Sequence, residues 1–430
     1  MAERKGYSST MLLACVIIAL LIGGVIGYVA KPEPPRLAEL EQRVKDLEAQ
    51  ISELQAKTLP DPIKIGHLAP VTGELGPYSE GFLKGVELAV WEVNEKLGGI
   101  AGHKVEVIVE DTRTDASAAA EAAHKLIDVD KVQVIIGAYS SSCTMAAAAY
   151  AEESHVVMIS PASTSPAITD AGEYIFRVVP SDAGQGAALA DLAIAMGYKT
   201  AATIVINNPY GIGIEEVFKE RFEAAGGDVV ATVRYELGAA TYKTELGTIQ
   251  EKNPDVIIDV SYADDGQIIF KEAAELGIDI PWICAEGIAD EKIFEAPGVG
   301  EYMATAGGKG MIGTRPLSVV SPASVRFQEL WKEHYGVEYE GEIYADYAYD
   351  AAKIALMAIA YAGVYDGEAI KDALPYVGHA YKGASGDKTF DEYGDVAGDY
   401  TIWKVELVEG EYKFVPIGKW SSSMGIELKT

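Results

Sequence analysis

Residues 62–115 read PIKIGHLAPVTGELGPYSEGFLKGVELAVWEVNEKLGGIAGHKVEVIVEDTRTD, and three blocks follow: GAYSSSCT at 137–144, MISPASTSPAIT at 158–169 and FRVVPSDAGQG at 176–186. Each block sets Ser, Thr, Tyr or Gly after an apolar, strand-like run and before a helix-like run. An open α/β sheet builds its ligand site at such strand ends. Outward from these blocks, IKIGHLA, VEVIVED, VQVIIGA, VVMIS, AATIVIN, DVVATVRY, DVIIDVS and WICAE alternate with helical patterns such as EGFLKGVELAVWEVNEKL and EEVFKERFEAAG. That alternation predicts βαβ units and parallel sheets. Strands this continuously apolar suit sheets covered on both faces. The roughly 370 residues after the N-terminal segments exceed one ordinary domain and suit two lobes. Near the C-terminus, TIWKVELVEGEYKFVPIGKW at 401–420 predicts a hairpin turning at Glu409-Gly410.

The N-terminus has its own logic. Residues 11–30, MLLACVIIALLIGGVIGYVA, form an uncharged run of twenty. As a helix it would rise about 30 Å, the thickness of a bilayer core. Arg4 and Lys5 precede it, which favours a cytoplasmic segment 1–10 and an exported remainder. A cleaved signal peptide and lipidation at Cys15 are the other readings. The run is long for the first, and lies mostly after Cys15 for the second, so a single-pass membrane anchor is expected. Residues 36–57 then space Leu37, Leu40, Val44, Leu47, Ile51 and Leu54 by threes and fours. β-branched residues at a and Leu at d favour a parallel two-stranded coil, and hence a possible homodimer through the stalk. A lone solvated spacer helix is the alternative. Leu59-Pro60-Asp61-Pro62 ends the pattern.

Composition excludes several functions. A net charge of −30 argues against a nucleic-acid partner. Of three cysteines only Cys143 and Cys284 lie outside the apolar run, so no disulfide framework or CxxC metal site is available. The six histidines are scattered, which makes a zinc site unexpected, and no cofactor is implied. GAYSSSC lacks the second glycine of a GxSxG elbow, and no phosphate-cradling GxxxxGK[ST] string occurs. The sequence does not read as an enzyme.

The order and spacing of the blocks resemble the extracytoplasmic branched-chain amino-acid (leucine/isoleucine/valine)-binding proteins of ABC transporters. GAYSSSCT, SPASTSP and the AEG of 285–287 carry the resemblance, and EKLGGIAG at 95–102 supports it. The resemblance implies a type I periplasmic binding protein: an α/β protein of two Rossmann-like lobes joined by a three-segment hinge, here preceded by a transmembrane helix and a short coiled coil. It puts the crossings near Pro180-Ser181, Thr314–Pro316 and Ser385–Lys388. Lobe 1 would then hold 62–180 and 315–385, and lobe 2 would hold 181–314 and 386–425. The implied function is capture of an amino acid, branched-chain or otherwise apolar, and delivery to permease subunits on the extracytoplasmic side of the cell membrane. A sensing ectodomain that signals through a separate partner is the alternative, because one fold serves both roles.

An amino acid needs donors for its carboxylate, an anion for its ammonium and a shaped wall for its side chain. Ser141 opens a helical pattern, where free N–H groups and the helix dipole favour an anion. Ser160-Pro161-Ala162-Ser163-Thr164 repeats that arrangement. In the resembling family the matching serine, the residue at Ala162 and the threonine hold the carboxylate. Alone, each is an ordinary cap or turn residue. Glu286 follows an apolar strand beside Gly287, at the family's ammonium-binding position, and Tyr262 matches a tyrosine that helps there. Tyr78 and Tyr210 match pocket-lining rings; buried core tyrosines are the plainer alternative. The family's disulfide positions read Arg113 and Ser140 here, so that bridge is absent. Tyr139 and Tyr344 are expected to alter the pocket's shape.

Overall fold

The computed structural model describes residues 39, 42–46, 58–317 and 320–429. The run 11–30 and most of the stalk therefore lie outside the described residues; residues 42–46 are helical and exposed. Among the described residues no helix is long and apolar enough to cross a membrane.

The first sheet has five parallel strands: β1 (Ile63–Ala69), β2 (Val105–Asp111), β3 (Val134–Gly137), β4 (Val157–Ser160) and β5 (Ile175–Arg177), in the order β2-β1-β3-β4-β5. Helices α1 (Ser79–Trp91), α2 (Ala116–His124) and α3 (Ser141–Glu153) join them. The second sheet begins with five parallel strands: β6 (Thr200–Ile206), β7 (Asp228–Tyr235), β8 (Val256–Val260), β9 (Trp282–Cys284) and β10 (Ile312–Pro316). Its helices are α4 (Asp182–Ala195), α5 (Pro209–Ala224), α6 (Lys243–Lys252), α7 (Ala263–Glu275) and α8 (Val299–Thr305). The chain then returns through α9 (Pro322–Tyr335), α10 (Ala345–Ala362) and α11 (Gly367–Ala380), which lie with the first sheet. Gly85 permits this docking: a Cβ there would sit 2.3 Å from the Ala345 carbonyl oxygen.

A small hairpin, β11 (Lys382–Gly383) and β12 (Gly386–Asp387), precedes β13 (Tyr400–Val408), β14 (Glu411–Ser421) and β15 (Gly425–Leu428). These last three strands extend the second sheet antiparallel beside β10. The β13–β14 turn falls at Glu409 and Gly410, both at positive φ, which matches a tight hairpin turn. We call each sheet with its helices a lobe.

The chain passes between lobes three times. The first passage runs through 178–181. The second follows Pro316, because β10 stays in the second sheet to its last residue. The third lies beyond Thr389, later than the resemblance implied. The reason is Asp350 on α10, whose carboxylate accepts from Ala384 N–H (2.8 Å), Ser385 N–H (2.8 Å) and Ser385 Oγ (2.5 Å) and holds the small hairpin on lobe 1. Lys388 then donates to Val178 O (2.8 Å) and Ser385 O (3.2 Å), tying two hinge strands together. β5, β10 and β15 are absent from the strand candidates of the sequence. β5 has only three residues and β10 ends on a proline, so neither carries a strong strand signal.

Candidate functional site

Strand ends of both sheets face each other across one small cavity. It is lined by Leu75, Tyr78, Phe82, Tyr139, Ser141, Ala162, Thr164, Tyr210, Tyr262, Glu286, Gly287, Ile343 and Tyr344 and has a volume of about 50 Å³. Seven of the eight residues named from the sequence are among them: Tyr78, Ser141, Ala162, Thr164, Tyr210, Tyr262 and Glu286. Ser163 is the exception. Its hydroxyl lies 2.7 Å from Thr144 Oγ1 and 3.2 Å from the Ala138 carbonyl oxygen, inside lobe 1. It braces the turn, and its side chain is absent from the lining.

On lobe 1, β3 ends and α3 begins within three residues. Ser140 caps α3 by accepting from Cys143 N–H (3.4 Å), which leaves Ser141 at the first turn. Ser141 Oγ accepts from Ser165 N–H (3.2 Å), coupling α3 to the turn after β4. That turn is fixed from beneath. Ser160 Oγ donates to Ala138 O (2.7 Å) and accepts from Ser163 N–H (2.9 Å). Arg177 Nη1 donates to the carbonyls of Thr164 and Ser165, both at 2.8 Å, while its other nitrogens pair with Asp395 at 2.5 and 2.6 Å. Thr164 therefore stands at a rigid position beside a helix N-terminus, a setting suited to a carboxylate.

On lobe 2, Asn208 caps α5 and Pro209 is its first residue. Gly211 lets the turn lie close on β6, since a Cβ would be 2.2 Å from Ile206 O. Tyr210 is thus aimed at the cavity. Its ring stacks on Tyr262 (5.6 Å between centroids, 7° between planes), and its hydroxyl accepts from Gly287 N–H at 3.2 Å. Gly287 has no room for a side chain: a Cβ would meet Ser261 O at 2.4 Å. The close turn holds Glu286 inward, and it is 5 % exposed.

Glu286 has a partner in charge that the sequence reading missed. Asp182, the first residue of α4, is fully buried. Glu286 Oε2 and both Asp182 carboxyl oxygens have no hydrogen-bond partner among the described residues. Burial pushes the Glu286 carboxyl up to about 7, with the Gln185 amide and Tyr210 hydroxyl pulling the other way. Asp182 is also raised, by burial first and by the Glu286 charge second. Tyr344, at positive φ (56°) before α10, adds another buried hydroxyl without a partner among the described residues. A larger chamber of about 630 Å³ adjoins, sharing Glu286, Ile343 and Tyr344 with the first.

The sequence profile of the periplasmic binding protein family matches residues 62–411. The chain belongs to that family. It is 27% identical over 360 residues to the leucine-, isoleucine-, valine-, threonine- and alanine-binding protein of Pseudomonas aeruginosa, covering 82% of this chain and 93% of that one. Among solved structures it resembles a leucine-binding protein from Thermotoga maritima, with 29% identity, a TM-score of 0.74, and coverage of 84% of this chain and 99% of the other. It also resembles a solute-binding protein of an ABC transporter from Rhodopseudomonas palustris in complex with 3,4-dihydroxybenzoic acid: 25% identity, TM-score 0.72, covering 86% and 99%. This periplasmic binding protein is therefore a solute-binding protein of ABC-transporter type and not an enzyme.

Proposed function

We propose that this protein captures a free amino acid, apolar or branched-chain, between its lobes and delivers it to the permease of an ABC importer. Ser141, Ala162 and Thr164 would receive the carboxylate, and Glu286, with Tyr262, would receive the ammonium. Tyr78 and Tyr210 would wall the side chain. The observation that carries this reading is the buried Glu286 carboxyl, with one oxygen unpartnered among the described residues, lining the same cavity as Ser141 and Thr164 beside the N-terminus of α3. A carboxyl on the cavity wall that can ionise beside a cation suits an ammonium and opposes a benzoate, whose one charge is negative. The amino-acid ligands named for the Pseudomonas and Thermotoga relatives support the same choice.

The lobes work outside the cytoplasm, held to the cell membrane by residues 11–30 and raised on a stalk, residues 36–57, that pairs two copies. Arg4, Lys5 and the heptad spacing support this part. Fractionation checks it: full-length protein should stay with membranes after a high-salt wash and cross-link as a dimer.

Glu286→Gln tests the site itself. Breaking one side of a buried charge pair costs about 2–5 kcal/mol, roughly 30- to several-thousand-fold in affinity. Calorimetry with a bound amino acid should show that loss. Binding within threefold of the parent would return Glu286 to an ordinary buried acid and remove the amino-acid reading.

A further inference from the structure

We infer, building on the amino-acid reading above, that the Tyr139–Phe82 stack closes the side-chain end of the pocket and restricts the ligand to short side chains, up to about valine in size. Once the head group is assigned to Ser141, Ala162, Thr164, Tyr262 and Glu286, the side chain is left with Tyr78 and Tyr210 as walls and Leu75, Phe82, Tyr139 and Ile343 beyond them. Tyr139 stands two residues before Ser141, at the end of β3. Its ring lies on Phe82 with centroids 4.2 Å apart and planes 18° apart. Its hydroxyl lies 2.8 Å from Nε2 of His67, which sits on β1 within the sheet. The ring is therefore fixed at its face and at its tip and cannot swing aside as a free side chain would. Burial pushes His67 down to about 3, so the tether joins two neutral groups and does not switch at working pH.

The volume agrees. A water-sized group needs about 10–15 Å³ of such space, so a cavity of about 50 Å³ takes about three to five such groups in all and leaves little room beyond the head group. The way on passes Ile343 and Tyr344 into the larger chamber. Asp290, Glu291, Arg315, Glu342 and Asp346 line that chamber, and an apolar chain entering it would strip water from charged groups.

Calorimetry of the full-length protein with glycine, alanine, 2-aminobutyrate, norvaline and norleucine, and with valine, leucine and lysine, tests the inference. Each buried methylene should tighten binding about fourfold until the ring is reached. Affinity should peak at 2-aminobutyrate or valine and fall at least tenfold by norleucine and leucine. Tyr139→Leu should move the peak to leucine. Affinity that still climbs at norleucine, an unchanged profile in Tyr139→Leu, or lysine binding tighter than alanine would overturn it. If Tyr139→Leu fails to fold, the homologous series on the parent decides alone. A parent that binds none of these amino acids would instead overturn the reading of the site on which the inference rests.

Discussion

Glu286 and Asp182 place two carboxyls in buried surroundings, where burial raises both and the Glu286 charge raises Asp182 further. The consequence for pH follows from linkage. The unfolded Glu286 titrates near its ordinary 4.5, while the folded, empty form holds its proton to about 7. Between those values the folded state binds more protons than the unfolded one, so stability falls as pH rises through the window. Above about pH 7 that loss is complete. A bound ammonium reverses the preference and expels the proton. Affinity should therefore rise between about pH 5 and 7, by at most tenfold per unit for one proton released, and level off above. Calorimetry in buffers of different ionisation heat should detect the released proton. Glu286→Gln should flatten the profile. Asp182→Asn replaces a carboxyl that burial and the Glu286 charge hold toward its protonated form, so it should leave the Tm of the empty protein close to the parent's at pH 7; a large rise in Tm would show that Asp182 is ionised there.

The turn after β4 depends on support from a distant stretch of chain. Arg177 ends β5, is fully buried, and reaches both the Thr164 and Ser165 carbonyls and the carboxylate of Asp395 on the third hinge segment. One ion pair thus joins the binding turn to the hinge. Removing one partner of a buried pair leaves a charge uncompensated and costs about 3–5 kcal/mol. Asp395→Asn should lower stability by the smaller end of that range in urea melts, since the amide still accepts one hydrogen bond. It should also weaken ligand binding, although Asp395 is absent from the cavity lining. A stable variant with weakened binding would show positioning apart from scaffolding; full stability with full affinity would refute both roles.

The two lobes are closed on each other. Lys292 of lobe 2 donates to Pro77 O at 2.6 Å and stands 5.1 Å from the centre of the Tyr78 ring on lobe 1. Ser165 Oγ donates across the cleft to Pro209 O at 2.8 Å. A ligand held by groups of both lobes has more contacts in this arrangement than in an open one, and only that difference can shift the population. Small-angle scattering should give a smaller radius of gyration with ligand than without. Lys292→Met removes a charged hydrogen bond and a cation–π contact at the rim, each worth about 0.5–2 kcal/mol. It should lower affinity about three- to tenfold while leaving the ligand preference unchanged. An equal radius with and without ligand would count against hinge closure.

Alternating apolar runs and helical patterns determined the two α/β lobes from the sequence, because sheet burial and helix periodicity are local signals. The strand-end strings marked the turns that carry Ser141, Thr164 and Glu286, since caps, turn glycines and strand ends are also written locally, whereas singling out these residues with Tyr210 and Tyr262 rested on the resemblance to the branched-chain amino-acid-binding family. Ser163 shows the limit of that reading: its string names the turn but not which hydroxyl faces the ligand, and backbone geometry turned it toward Ala138 and Thr144. Asp182 was hidden for another reason. As the first residue of a helix capped by Ser181 it looks like any acid stabilising a helix start. Only the folding of lobe 2, which packs α4 against β9 and β10, brings it near Glu286, about a hundred residues away in sequence. The third crossing and the Tyr139–His67–Phe82 assembly belong to the same class. They arise from contacts between distant segments, where burial and charge are settled by tertiary packing and by no local pattern.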